Sequence, residues 1–113
     1  MAEEIREWLL EFKKNTGKMK EQAPNVVNGF AAMYTKIMQN GALPMKMKEL
    51  MAVAISVAVQ CDPCIKLHVQ KCIDLGATKE EILEAASVAI ALGGGPAWTH
   101  LPVVLETVEQ LQA

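Results

Sequence analysis

The chain has 113 residues, 51% of them hydrophobic and 21% charged, with a net charge of −2. That is the length of one ordinary domain, residues 1–113, with enough apolar material for a core, and it argues against disorder. The slight acidity and the lack of a Lys/Arg-rich run argue against nucleic acid or an anionic membrane as partner.

The opening "MAEEIREWLLEF" is acidic and amphipathic, without the basic start, apolar centre and small-residue site of a signal peptide. The longest near-continuous apolar run, Leu50–Val59, is too short to cross a bilayer. A soluble cytosolic protein is therefore expected. In that reducing setting a CxxC is more often catalytic or metal-binding than a structural disulfide.

Ile5, Trp8, Leu9 and Phe12 fall at i, i+3, i+4 and i+7 and predict an amphipathic helix ending before Gly17. A second helix is expected after Pro24, with Val26, Val27, Phe30, Met33, Tyr34, Ile37 and Met38 on one face. The turn signal "NGALP", Asn40–Pro44, closes it. Met45–Gln60, "MKMKELMAVAISVAVQ", is apolar nearly all round. Its Val and Ile residues admit a buried strand, but its length, alanines and lack of breakers favour a buried helix.

Asp62 as N-cap, Pro63 at the first helical position and Gly76 as a left-handed stop predict a helix over about Pro63–Leu75. Thr78 with Glu81 three residues later is a capping-box signature. It opens a helix to about Leu92, ended by Gly93-Gly94-Gly95-Pro96. A last helix runs from about Ala97, with an irregularity near Pro102. The expectation is an all-α domain of five to six helices. The apolar surfaces of Met45–Gln60 and Ile82–Leu92 exceed what one small domain hides, so a homo-oligomer is expected.

The chemistry concentrates in "QCDPCIKLHVQKC", Gln60–Cys72, which holds all three cysteines and one of the two histidines. Cys61, Cys64, His68 and Cys72 are plausible zinc ligands by type. However, Cys64 and Cys72 on one helix are separated by about 12 Å of rise, whereas sulfurs on one tetrahedral zinc lie about 4 Å apart. A zinc site of Cys61, Cys64 and His68 with an outside ligand is the binding-protein alternative. For redox chemistry, Cys64 lies in the first turn of a helix, where unpaired N–H groups and the macrodipole favour a thiolate. That effect is about 0.3–1 kcal/mol, under one pKa unit, and the nearby Asp62 charge opposes it. Activation therefore needs a base. His68, four residues on and one turn along the same face, is placed to be that base. Cys61 can pair with Cys64 across the turn. Cys72 reads as a buried small hydrophobe.

Glu49, Cys61, Cys64 and His68 together meet the pattern E-x11-C-x2-C-x3-H. This resembles the carboxymuconolactone decarboxylase family and, within it, the alkyl hydroperoxidase D-like branch. "LGGGPAWTH", Leu92–His100, is similar to that family's glycine-rich stretch. The resemblance covers about residues 20–110. It implies an all-α fold assembled into trimers or hexamers, and a thiol-dependent peroxidase or disulfide reductase with no bound cofactor or metal. Its substrate would be a hydroperoxide or disulfide, and its electron donor a dithiol or a protein reductant. Cys64 would be the activated thiol, Cys61 its disulfide partner, and His68 with Glu49 the proton relay. The family's decarboxylase branch, which acts on a lactone without a CxxC, is the other enzymatic alternative. Alkyl hydroperoxidase D itself is longer, with two related helical halves, and has a histidine inside its CxxC where this chain has Asp62-Pro63.

Spacing alone does not bring Glu49 to the dithiol. It lies about 18 Å of helix rise before Cys61, and a simple helical hairpin would set it near residues 72–74. A first-turn acid at a helix N-terminus is its local reading. His100 could line a pocket but reads rather as a surface or capping residue, and Tyr34 and Trp98 as packing or interface anchors.

Overall fold

A computed structural model describes residues 4–112, so Met1–Glu3 of the acidic opening and Ala113 lie outside it. The described chain is all helix and connection: α1 (Glu4–Gln22), α2 (Pro24–Met38), α3 (Met45–Ala58), α4 (Asp62–Asp74), α5 (Lys79–Gly93), the single turn α6 (Gly95–Trp98) and α7 (Leu101–Gln112). Six of these elements have 12 residues or more, which agrees with the five to six helices expected.

Three boundaries differ from expectation. The last helix does not run from Ala97: Gly95–Trp98, with Pro96 inside it, is a separate turn, and α7 starts at Leu101 with Pro102 in its first turn, where a missing N–H costs no helical bond. Gly17 does not end α1, which continues through "KMKEQ" to Gln22. A glycine inside an exposed helix costs only about 1 kcal/mol, and good helix formers on either side outweigh it. The break comes at Ala23 (φ −140°, ψ 63°), because Pro24 disfavours helical backbone in the residue before it. At α4 the N-cap is Cys61 rather than Asp62; the Cys64 N–H donates to Cys61 Sγ at 3.2 Å, and Asp62 already has helical backbone.

Elsewhere the local signals act as expected. Thr78 and Glu81 form the reciprocal capping box of α5. Gly76 (φ +85°) ends α4 in a Schellman motif, with Gly76 N–H to the Ile73 carbonyl and Ala77 N–H to that of Cys72. Gly94 (φ +62°, ψ −143°) makes the sharp turn between α5 and α6 in backbone that side chains disfavour.

The core is built by Val53 and Val57 of α3, Ile65, Val69 and Cys72 of α4, Ile82, Ala86 and Ala89 of α5, and Val104 and Val108 of α7. Helix α3 is central, packed on α4 and α5, and α7 closes the far side of α4. Helix α1 is attached at its start: Ile5 and Leu9 are buried, and the Ile5 N–H donates to Gln110 Oε1 of α7 at 2.9 Å. Helix α2 buries no residue completely. Its expected apolar face is divided. Val27, Tyr34 and Met38 are half-buried, whereas Val26, Phe30, Met33 and Ile37 face outward. The outer face of α3, with Met47, Met51 and Ile55, is likewise exposed. No described helix is long and apolar enough to cross a membrane.

Candidate active site

The site begins where α3 stops. Gln60 takes a left-handed backbone (φ +58°), and the Cys61 N–H reaches back to the Ser56 carbonyl at 3.0 Å. This reversal sets Cys61 at the head of α4. The Cys61 and Cys64 sulfurs are joined as a disulfide, with Cα atoms 5.2 Å apart. The bond occupies both sulfurs, two of the three ligands the zinc alternative needs.

One turn further along α4, His68 presents Nδ1 to Glu49 Oε1 of α3 at 2.8 Å. The two residues that spacing could not connect are therefore in contact. Glu49 is 3% exposed. Its charge is also felt at Cys72: burial first, then the Glu49 charge, pushes that thiol up to about 12. Cys72 is fully buried and remains a protonated thiol, as expected of a small hydrophobe.

A buried carboxylate needs partners for its charge. Burial opposes the Glu49 charge, but hydrogen bonds from His68 and Tyr34, then the charges of His68 and Lys71, overcome it and hold the carboxyl below its usual range. The Tyr34 hydroxyl donates to Oε2 at 2.5 Å and lies 3.4 Å from His68 Nδ1. Burial and the adjacent Glu49 push the phenol well above its usual value, so it stays a donor. With Glu49 accepting from Nδ1–H, the neutral imidazole carries its lone pair on Nε2. Nε2 is then the nitrogen left to take a proton. Next to these groups, Tyr34, Met38, Met45, Glu49, Lys71 and Leu75 help to line a mainly apolar cleft of about 310 Å³.

Tyr34, a packing or interface anchor by sequence, is the second donor to Glu49. Its signal was present only as its place on the inward face of α2. His100 also differs from its reading as a surface or capping residue. Its ring is about one-quarter exposed, and Nδ1 lies 2.8 Å from Oδ1 of Asp62, the residue between the two cysteines. At the glycine run α5 and α6 meet closely: a Cβ at Gly93 would lie 3.0 Å from the Ala97 Cβ. Among the described residues no group of three His, Cys, Asp or Glu side chains is arranged to hold a metal.

An all-helical domain with two cysteines at one helix start, and a His residue on that helix bonded to a buried Glu, defines a class. Residues 24–106 match the carboxymuconolactone decarboxylase family, and the chain belongs to that family. It is similar to a carboxymuconolactone decarboxylase family protein of Legionella pneumophila, with 32% identity and TM-score 0.93 over 98% of this chain and 99% of that one. It is also similar to a family protein of Thermotoga maritima for which a part in antioxidative response has been suggested. There identity is 29% and TM-score 0.82, over 91% of this chain and 88% of that one. An uncharacterised protein of Cupriavidus necator is 29% identical over the full length of both chains.

Proposed function

We propose that this protein is a thiol-dependent peroxidase or disulfide reductase of the alkyl hydroperoxidase D-like branch, with Cys61 and Cys64 as its redox pair. One observation carries the reading: the two joined cysteines head α4, and the His68–Glu49 contact follows one turn later on the same helix. The antioxidative part suggested for the Thermotoga relative supports it.

In the reduced enzyme, His68 Nε2 takes the Cys64 proton, and the Glu49 carboxylate stabilises the imidazolium. The Cys64 thiolate attacks the outer oxygen of a hydroperoxide ROOH. An S–O bond forms, the O–O bond breaks, and the alkoxide leaves as ROH with the proton from His68. Cys64 is now a sulfenic acid. The Cys61 thiol attacks its sulfur, forming the disulfide and releasing water. A dithiol reductant, small or protein-borne, then exchanges with the disulfide and restores both thiols, becoming a disulfide itself. The sum is ROOH plus a dithiol giving ROH, water and a disulfide. Tyr34 is a positioning residue, holding Glu49 charged and in place. The cycle suits a reducing compartment such as the cytoplasm, where spent disulfide is re-reduced.

The same reading assigns the exposed apolar faces to contacts between copies of this chain in a trimer or hexamer. Phe30 of α2 is 63% exposed, Ile55 of α3 61% and Leu92 of α5 92%, apolar side chains that a second copy would cover.

The test is hydroperoxide-dependent oxidation of a dithiol by the wild type, Cys64→Ser and His68→Ala. Loss of Cys64 should abolish turnover, and loss of the base should cost about 10²–10⁴-fold. Mass spectrometry after stoichiometric peroxide should find Cys61 and Cys64 joined and Cys72 free. Unchanged turnover in both variants would sink the proposal. Lactone decarboxylation that survives removal of both cysteines would assign the protein to the family's other chemistry.

A further inference from the structure

The dithiol has a charged neighbour that the proton relay does not use. Asp62 lies between Cys61 and Cys64 in the first turn of α4, and its carboxylate disfavours a thiolate on either side. The natural helical partner of Asp62 is Lys66, four residues on. Lys66 is engaged elsewhere, with Nζ 4.9 Å from the centre of the Trp8 ring. The other charged groups sharing the cleft beside Asp62 are Glu4 of α1 and Glu106 of α7, both of like sign. The donor that the structure supplies to Asp62 is His100, brought from just before α7 across 38 residues of sequence. The other histidine, His68, is bonded to Glu49 instead.

We propose that His100 is a positioning residue for the dithiol: its Nδ1–H bond to Asp62 draws off the charge of the carboxylate between the cysteines and so favours the attacking thiolate. The inference rests on the reading of Cys61 and Cys64 as a working redox pair. It also decides the local balance at Cys64. The helix end and Asp62 offset each other there, and a bond that withdraws charge from Asp62 tips the balance toward the thiolate. No atom moves in this role; His100 acts through Asp62 and touches no reacting group. Asp62 is about half-exposed, so the effect is that of a solvent-screened neighbouring charge, about three- to tenfold in an ionisation constant.

The experiment is the pH dependence of iodoacetamide alkylation of the reduced full chain, with modified cysteines located by mass spectrometry. The variants are His100→Ala, Asp62→Asn, the double variant and His100→Asn, which keeps a side-chain N–H donor. His100→Ala should lower the thiolate fraction at pH 7 about three- to tenfold, and His100→Asn should recover most of it. Asp62→Asn should raise it by a similar factor, and adding His100→Ala to that background should change nothing. An unchanged thiolate fraction in His100→Ala, or an equal drop with Asp62 already removed, would overturn the proposal. If His100→Ala does not fold, His100→Phe, which keeps a ring and removes the donor, takes its place with the same two outcomes. The assay needs no peroxide. The expected pattern without peroxide turnover would refute the peroxidase reading and leave this role standing.

Discussion

Removing the Tyr34 hydroxyl tests the buried carboxylate directly. In Tyr34→Phe the ring and its packing remain, but Glu49 Oε2 loses a donor at 2.5 Å. A hydrogen bond to a charged group contributes about 1.5–3 kcal/mol. Tyr34 is only half-buried, so water can partly replace it, and the lower end, about 1.5 kcal/mol, applies. The pH dependence carries a sign. The carboxyl of Glu49 is held below its ordinary value near 4.5 in the folded state. Its contribution to stability is therefore present above that value and is lost as pH falls through the lowered folded value. The cost of Tyr34→Phe should accordingly be largest near pH 7 and shrink to about 0.5–1 kcal/mol, that of a neutral hydrogen bond, once Glu49 is protonated. The assay is urea unfolding of wild type and variant at fixed protein concentration from pH 7 down to pH 3. A cost that does not change across this range would refute the idea that Tyr34 acts on the charged form of Glu49, and so would no cost at pH 7.

Two further outcomes follow from local and surface physics. Gln60 holds a left-handed backbone that costs a side-chain-bearing residue about 1 kcal/mol. Gln60→Gly should therefore stabilise the chain by about 0.5–1 kcal/mol in denaturant unfolding; destabilisation would show that the Gln60 side chain supports the turn into Cys61. If copies of this chain meet through the exposed face of α3, as proposed, Ile55→Asp should lower the mass that sediments while leaving the helical circular dichroism intact. A wild type that sediments as a monomer at every concentration would refute the assigned contact surface.

The helices were legible because their signals are local. Capping at Thr78, the left-handed stop at Gly76 and the proline before α2 each depend on a few neighbouring residues. Gly17 misled because a weak breaker was given the weight of a strong one. The N-cap of α4 was misplaced by one residue because a sulfur, rather than the better-known aspartate oxygen, accepts the Cys64 N–H. The apolar character of α2 and α3 was visible, but which part turns inward was not, since the apolar face of α2 is broad and α3 is apolar nearly all round.

The same division runs through the site. The amino-acid sequence by itself determined that two cysteines stand at the head of a helix with His68 one turn beyond, because i, i+3 and i+4 neighbours follow from helix geometry. Only the tertiary structure decided that His68 meets Glu49 over 19 residues, that Tyr34 reaches Glu49 over 15, and that His100 bonds Asp62 over 38. Those contacts depend on how α2, α3, α4 and the start of α7 pack against one another. Packing is set by the summed burial of Val53, Val57, Ile65, Val69, Val104 and Val108, a sum over distant pairs that no short stretch of sequence contains.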